Sequence, residues 1–417
     1  MDWVEFTDVS TTQMQIDEAL GINDTFEKDL LVTDIDNDGD NDIIIVRKVR
    51  FSTAGGQANL LIMNESSMMV DRTASLAPGF LDATDDRDVI AIDVNNDGWK
   101  DIITATTFGE VPRVYMNLGS LGGVWLGLSY VASDNRILPF LIPPKFCAVA
   151  AGDVNGDNFV DLFFVDYANN LEDRLLINDG NGFFIDETLT RMTDAMSESV
   201  FGTSADIYDM NGDGFKDIIK VSSSGSAPPP GSTNPQVRIL YNDGTGNFTD
   251  MSAFDDLLPY MMELIDIDNN GVKDVFVVSD GQDKIMINTG NGVDGKAEFT
   301  ISDISNSPNT ANFGGNTFAI DLNRDGYEDM FVADVDTDIA GCNRNLVVLK
   351  NNQGVSLTDP FNGTSKPWLT RGTFDIAVAD FNGDGFKDIW SGTCTGNRLF
   401  FQTPVDLIYV HGFESNN

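Results

Sequence analysis

Short apolar runs alternate with Asp/Asn/Gly clusters along the whole chain. The runs are too short for helices and rich in β-branched and aromatic residues, as in Ile43-Ile-Ile-Val46, Leu162-Phe-Phe-Val165 and Val275-Phe-Val-Val278. No long segment of 3.6-residue period competes with a strand reading. The runs recur in a fixed order. An apolar stretch such as Asp29–Thr33 or Phe374–Ala379 precedes an acidic cluster, and a β-rich run follows it. A third apolar segment then ends in Asn, as in Asn59–Asn64, Arg174–Asn178, Arg238–Asn242 and Lys284–Asn288. A Gly/Asn turn leads to a fourth short run, as in Asp179–Asp186 and Asp243–Asp250. These are hairpin signals, and the pattern predicts units of four antiparallel strands, here called A to D.

The acidic cluster has the form D-x-[DN]-x-[DN]-[GN]-x-x-D and occurs seven times, at 34–42, 93–101, 153–161, 209–217, 266–274, 321–329 and 380–388. Its first positions lie 59, 60, 56, 57, 55 and 59 residues apart. Seven four-stranded units at this period predict an all-β fold, a seven-bladed β-propeller over residues 2–402 with a tail at 403–417. The last repeat supplies strands A, B and C and then reaches Pro404. Trp3–Thr7 resembles the strand D segments, so it is expected to pair with Asn397–Gln402 and close the ring.

The cluster offers oxygens at the spacing a hard cation needs. Ca²⁺ takes six to eight oxygen ligands at about 2.3–2.6 Å. Side chains at positions 1, 3, 5 and 9 and the carbonyl at position 7 can wrap one ion, and glycine at position 6 permits the sharp turn. The expected ligands are Asp34, Asp36, Asp38, Asp40 and Asp42; Asp93, Asn95, Asp97, Trp99 and Asp101; Asp153, Asn155, Asp157, Phe159 and Asp161; and Asp209, Asn211, Asp213, Phe215 and Asp217. The remaining loops offer Asp266, Asp268, Asn270, Val272 and Asp274; Asp321, Asn323, Asp325, Tyr327 and Asp329; and Asp380, Asn382, Asp384, Phe386 and Asp388. In each set the fourth residue contributes only its carbonyl. Up to seven Ca²⁺ are expected. The third loop, with Asn158 at position 6, and the fifth, with Asn270 at position 5, depart from the pattern. An EF-hand would need Glu at position 12 and flanking helices; position 12 is Ile45, Thr104, Phe164, Lys220, Val277, Val332 and Ser391, and the flanks are strands.

These loops, together with the Phe201-Gly202 and Phe313-Gly314 pairs that precede two of them, make the chain resemble the FG-GAP/VCBS repeat family, the propeller architecture of integrin α-subunit heads. The resemblance implies a calcium-binding propeller and leaves function open, since such propellers serve as adhesins, lectin-like proteins and non-catalytic modules of enzymes.

Charge and composition narrow the classes. The 417 residues hold 25 Lys+Arg and 66 Asp+Glu, for a formal charge of −41, and 22 of the acids stand at side-chain ligand positions. Nucleic-acid binding is not expected, because phosphate needs clustered cations. The single histidine, His411, speaks against a Ser-His-Asp triad. No run suits a transmembrane helix. Residues 1–20 hold five acids and no apolar core, so a secreted form is expected to have lost its signal peptide.

The expected role is a secreted or cell-surface, monomeric binding or adhesion module for a carbohydrate or protein ligand, without catalysis. A polysaccharide lyase, a glycosidase or a non-catalytic module of one is the alternative. Binding is expected on the face away from the loops, where the long connections fall: 48–58, 75–87, 129–145, 222–236 and 334–344. Trp125 and Tyr130 read either as a sugar-stacking platform there or as packing between blades. Cys342 and Cys394 precede strand C in adjacent blades and suit a disulfide, while Cys147 reads as a buried thiol. Sequons stand at Asn23, Asn64, Asn247 and Asn362.

Overall fold

A computed structural model describes residues 3–16, 26–49, 54–168, 171–199, 201–223, 236–255, 257–279, 282–304, 315–333, 346–361, 363–364 and 366–403. Seven antiparallel sheets follow one another along the chain, each a blade. Blade one is formed by Glu27–Thr33 (A), Asp42–Arg47 (B), Leu60–Glu65 (C) and Met68–Asp71 (D). Strand A of the following blades begins at Asp86, Phe146, Gly202, Pro259, Thr317 and Thr373. In blade seven the fourth strand is Glu5–Asp8, paired antiparallel to Gly396–Thr403 with Phe6 opposite Gln402. The ring closes as the orphan N-terminal strand required. Phe6 stacks on Trp368 at 4.7 Å, and Trp368 is fully buried.

One addition to blade one was not foreseen. After the closing strand the chain turns through Ser10–Gln13, and Met14–Gln15 pairs parallel to strand D, so that blade has five strands. The N-terminus thus ties two neighbouring blades.

The apolar core is divided. Seven clusters of buried side chains lie between consecutive blades, and each draws from both. Strand B of each blade is packed on both faces by neighbours and is buried at every residue; it reads as an unbroken apolar run in blades one, three, five and six, while Thr104, Lys220 and Ser391 interrupt the run in the others. Trp125 belongs to the cluster between blades one and two, is 9% exposed, and donates its indole N–H to Asn117 Oδ1 at 2.8 Å. Tyr130 packs at the edge of the same cluster. The stacking-platform reading of these two residues is therefore set aside. Asn64 is 4% exposed and hydrogen-bonded on both sides of its amide, so its sequon is closed to glycosylation in the folded protein. Cys147 is buried and free, and Cys394 is disulfide-bonded. Cys342, His411, Asn23, Asn362, the Phe313-Gly314 pair and the tail beyond Thr403 lie outside the described residues, as does most of the 222–236 and 334–344 connections.

Strand A lines the propeller axis, and in six blades it carries a bulge near its start. Three bulges hold an aspartate that reaches the next blade. Asp375 accepts the Leu30 N–H at 2.7 Å, Asp29 that of Val89 at 3.0 Å, and Asp88 that of Val149 at 2.7 Å. Burial above all, and then the Asp375 charge, pushes Asp29 up to about 8; burial pushes Asp375 up to about 6 and Glu27 up to about 7. Each folded pKa lies above its unfolded value, so the associated stabilisation is full below about pH 4 and is lost as pH rises through 6 to 8. We expect Tm in millimolar Ca²⁺ to fall between about pH 5 and about pH 9, and the fall to be shallower in Asp375→Asn, by differential scanning calorimetry. An unchanged slope in the variant would remove this carboxyl from the account.

Candidate metal centre

Each acidic loop joins strand A to strand B and is built almost wholly by its own side chains. The position-1 carboxylate accepts at least two backbone N–H groups across the turn. Asp34 takes those of Asp38 and Gly39, both at 3.1 Å, and Asp380 takes those of Asp384 at 3.1 Å and Gly385 at 2.7 Å. The position-5 side chain accepts the N–H of position 7 in all seven loops, at 2.7–3.1 Å. Position 6 is left-handed throughout, including Asn158 at φ 69°, as its tolerance of that region allows.

Position 4 is also left-handed in all seven loops: Asn37, Asn96, Gly156, Gly212, Asn269, Arg324 and Gly383. The Asn/Gly bias at this position is the sequence signal of that backbone. Arg324 is the exception at φ 64°, and its guanidinium lies 5.0 Å from the Phe386 ring centroid of the next loop.

In blades two, three and four the position-7 side chain, free of ligand duty, packs on the C–D turn of its own blade. A Cβ placed on Gly119, Gly180 or Gly244 would lie 3.0, 2.8 or 2.7 Å from Trp99, Phe159 or Phe215. These turn glycines are needed for this close approach as well as for their positive φ.

Position 9 does most to tie the loop to the blade. Asp42, Asp101, Asp161, Asp217, Asp274, Asp329 and Asp388 are buried to 1% exposure or less. One oxygen of each accepts the N–H of position 2 of its own loop at 2.9–3.2 Å. The other accepts the N–H of a residue at or near the end of strand C at 2.7–3.0 Å. In six blades that residue is the recurrent Asn, and its amide N–H reaches the position-2 carbonyl of the preceding blade's loop. Asn64 bonds Phe381, Asn117 Ile35, Asn178 Val94, Asn242 Val154, Asn288 Met210 and Asn351 Ile267, at 2.7–3.0 Å. Blade seven has Gln402 instead, whose side-chain oxygen accepts the Lys387 N–H. The recurrent Asn was noted in the sequence, but its task in joining blades was not legible there.

The donor set suits a hard cation, since every side-chain donor is a carboxylate or amide oxygen. Carboxylate oxygens of Asp34, Asp36 and Asp42 lie within 4.8 Å of one another, as do those of Asp266, Asp268 and Asp274. The fifth loop thus recovers at position 3 the charge it lacks at position 5. In the second, third and fourth loops the position-3 amide donates to the position-5 carboxylate at 2.9–3.0 Å, so an ion there requires that amide to turn its oxygen inward. Burial pushes Asp42 up to about 8 and Asp101, Asp161 and Asp274 up to about 6.

The opposite end of the propeller differs in chemistry. Lys48 Nζ lies 5.4 Å from the Phe108 ring centroid, and the Arg87 guanidinium and Lys145 Nζ lie 5.4 and 5.8 Å from that of Tyr167. Phe108 and Phe201 stand 6.5 and 6.1 Å from Tyr167. Both phenylalanines have positive φ, 57° and 53°, an unfavourable conformation for bulky residues. Gly202 follows Phe201 because a Cβ there would lie 2.9 Å from the Asp166 carbonyl of the preceding blade. Among the described residues no helix is long and apolar enough to cross a membrane.

We expect Asn178→Ala to cost about 1–3 kcal/mol in denaturant unfolding, since it removes the interblade bond and leaves the Val94 carbonyl buried without that donor. The exposed Asn181→Ala should stay within about 0.5 kcal/mol of the wild type. Equal values for the two would show that the link carries no stability.

An FG-GAP-like repeat model matches residues 153–220, 266–332 and 321–391. No curated protein matches the chain. Solved structures share the fold at low identity. One, of an Agrocybe aegerita lectin that recognises non-reducing terminal N-acetylglucosamine, is 17% identical over 89% of this chain and 87% of that one, with a TM-score of 0.52. Another, BBS1N in complex with ARL6DN, is 10% identical over 93% and 96%, with a TM-score of 0.52. The sevenfold loop–blade geometry and the three matched segments together show FG-GAP-like repeats in this chain and support an FG-GAP repeat propeller, folded as seven β-blades.

Proposed function

We propose that this propeller is a secreted or cell-surface binding module, held by Ca²⁺ in up to seven loops, whose ligand is a carbohydrate or a protein docking on the face opposite those loops. The observation that carries the reading is the contrast between the two ends. On the loop face the acidic residues are committed to building turns and, on this reading, to holding ions. On the other face Lys48, Arg87 and Lys145 gather around Phe108, Tyr167 and Phe201 in a protein of formal charge −41. The acids nearby are engaged: Asp85 accepts the Gly55 N–H, Glu110 that of Asp85, and Asp166 that of Lys145. Strained aromatic backbone concentrates at functional sites, and aromatic planes beside cations suit sugar or peptide recognition.

Calcium has a structural part in this reading. The side chains of Asp34, Asp36, Asp38 and Asp42, and their counterparts in the other loops, hold the ion. Ions bound only by the folded state stabilise it by mass action. The disulfide at Cys394 supports an oxidising compartment. The lectin among the structural neighbours favours a carbohydrate as the first ligand class to test.

A glycan-array screen in millimolar Ca²⁺, repeated with chelator and accompanied by an unfolding curve, tests the proposal. Saturable binding to one sugar class is expected, with loss of binding and a lower Tm in chelator. A blank array with folded, calcium-loaded protein would reject the carbohydrate ligand. An unchanged Tm in chelator would reject the structural role of calcium.

A further inference from the structure

The propeller axis holds a cavity of about 230 Å³ lined by strand A of all seven blades. A closed ring needs only seven comparable walls, but these walls are unlike. At the register five residues before each loop, blades six, seven, one and two carry Asn316, Asp375, Asp29 and Asp88, four polar groups in consecutive blades. Blades three, four and five carry Ala148, Ser204 and Met261 at the same register. The strand A bulges bring the preceding residues to the cavity as well, adding Lys28 and Arg87 to the polar arc and Tyr260 to the opposite wall. Bulges re-aim side chains in this way beside functional sites. Thr203, Ser204 and Asp206 of blade four and Glu263 of blade five also face it, so donors and acceptors surround the cavity and one sector, at Tyr260 and Met261, adds an aromatic and a thioether.

From this lining we infer that the axial cavity is a binding site for one neutral pyranose sugar, its hydroxyls on the Asp29–Asp88–Asn316–Arg87 arc and its C–H face toward Tyr260 and Met261. The inference deepens the carbohydrate reading above and rests on it.

Two observations separate a sugar from other occupants. Among the described residues three carboxylates converge on a point only in the first and fifth loops, so the axial acids form no such cage for a bare cation. The axial carboxylates are also partly engaged. Asp375, Asp29 and Asp88 each accept a backbone N–H from the next blade, Asn316 donates its amide to Asp29 Oδ1 at 3.0 Å, and Asp29 lies in hydrogen-bonding reach of both other aspartates. Their remaining lone pairs suit O–H donors, whereas an ammonium group would call for unshared negative charge. Arg87 is 6% exposed and Tyr260 4%, so a ligand reaching them leaves water, as a selective site requires. Lys28 and Arg87 stand toward the start of strand A, the end away from the loops, so the cavity shares its approach with the cationic aromatic group around Tyr167.

The test is isothermal titration of the full chain, calcium-loaded, with glucose, galactose, mannose and N-acetylglucosamine, and with glycine and lysine as zwitterionic and cationic probes. One-to-one binding of at least one sugar and none of the amino acids is expected. Ser204→Leu, which fills the cavity, should weaken that binding at least tenfold with Tm within a few degrees of the wild type. If this variant fails to fold, Asn316→Ala should weaken binding severalfold without blocking the space. Binding of the amino acids but not the sugars overturns the inference, as does sugar binding that both variants leave unchanged. A glycan-array signal that persists in Ser204→Leu while no monosaccharide titrates the wild type would leave the outer-face reading standing and remove the axial site alone.

Discussion

The buried carboxylate at position 9 of each loop is the contact on which the rest of the propeller depends. It has two oxygens and spends both on backbone N–H groups, one from its own loop and one from the end of strand C. The residue whose N–H it holds in strand C then reaches back to the preceding blade in six of the seven cases. Position 2 of six loops is thereby held on both sides, its N–H by its own blade and its carbonyl by the next. Loop shape, strand register and blade spacing are set by one chain of hydrogen bonds. A carboxylate buried this deeply would be costly without such partners. An ion held at the same loop would add opposite charge where desolvation and neighbouring acids otherwise favour protonation.

This arrangement explains how a chain so rich in acids remains compact. The apolar core lies in seven clusters between blades, so each blade depends on two neighbours. The loops gather at one end, where their repulsion is met locally by backbone N–H donors. At the closing seam, where no covalent link continues the ring, the N-terminal strand pairs into blade seven and the next residues pair onto blade one. Axial aspartates add a second set of links between blades seven, one, two and three, just where the ring is joined.

The two ends and the axis divide the chemistry. Sevenfold repetition governs the loop end, since every loop solves the same problem. The opposite end and the axial walls break the repetition, with aromatics, cations and interblade carboxyls confined to a few blades. The axial aspartates serve the seam as well, and both functional readings rest on these departures from the repeat's symmetry.

Much of this was written in the local sequence. The repeat period, the four strands of each blade, the closing strand and the loop residues are all local patterns, because a turn that organises its own backbone needs its residues at fixed spacing. Asn158 at position 6 was legible as a left-handed substitute for glycine, since that tolerance belongs to the residue itself. The fate of Trp125 was not legible, because the same side chain serves a surface platform or a core and only the neighbouring blade decides. The same holds for Asn64, whose sequon is local but whose burial comes from the seventh blade's loop. The interblade Asn links, the fifth strand on blade one and the polar arc on the axis join residues tens to hundreds of positions apart. Their geometry exists only once the ring has closed, so the tertiary structure alone decides them.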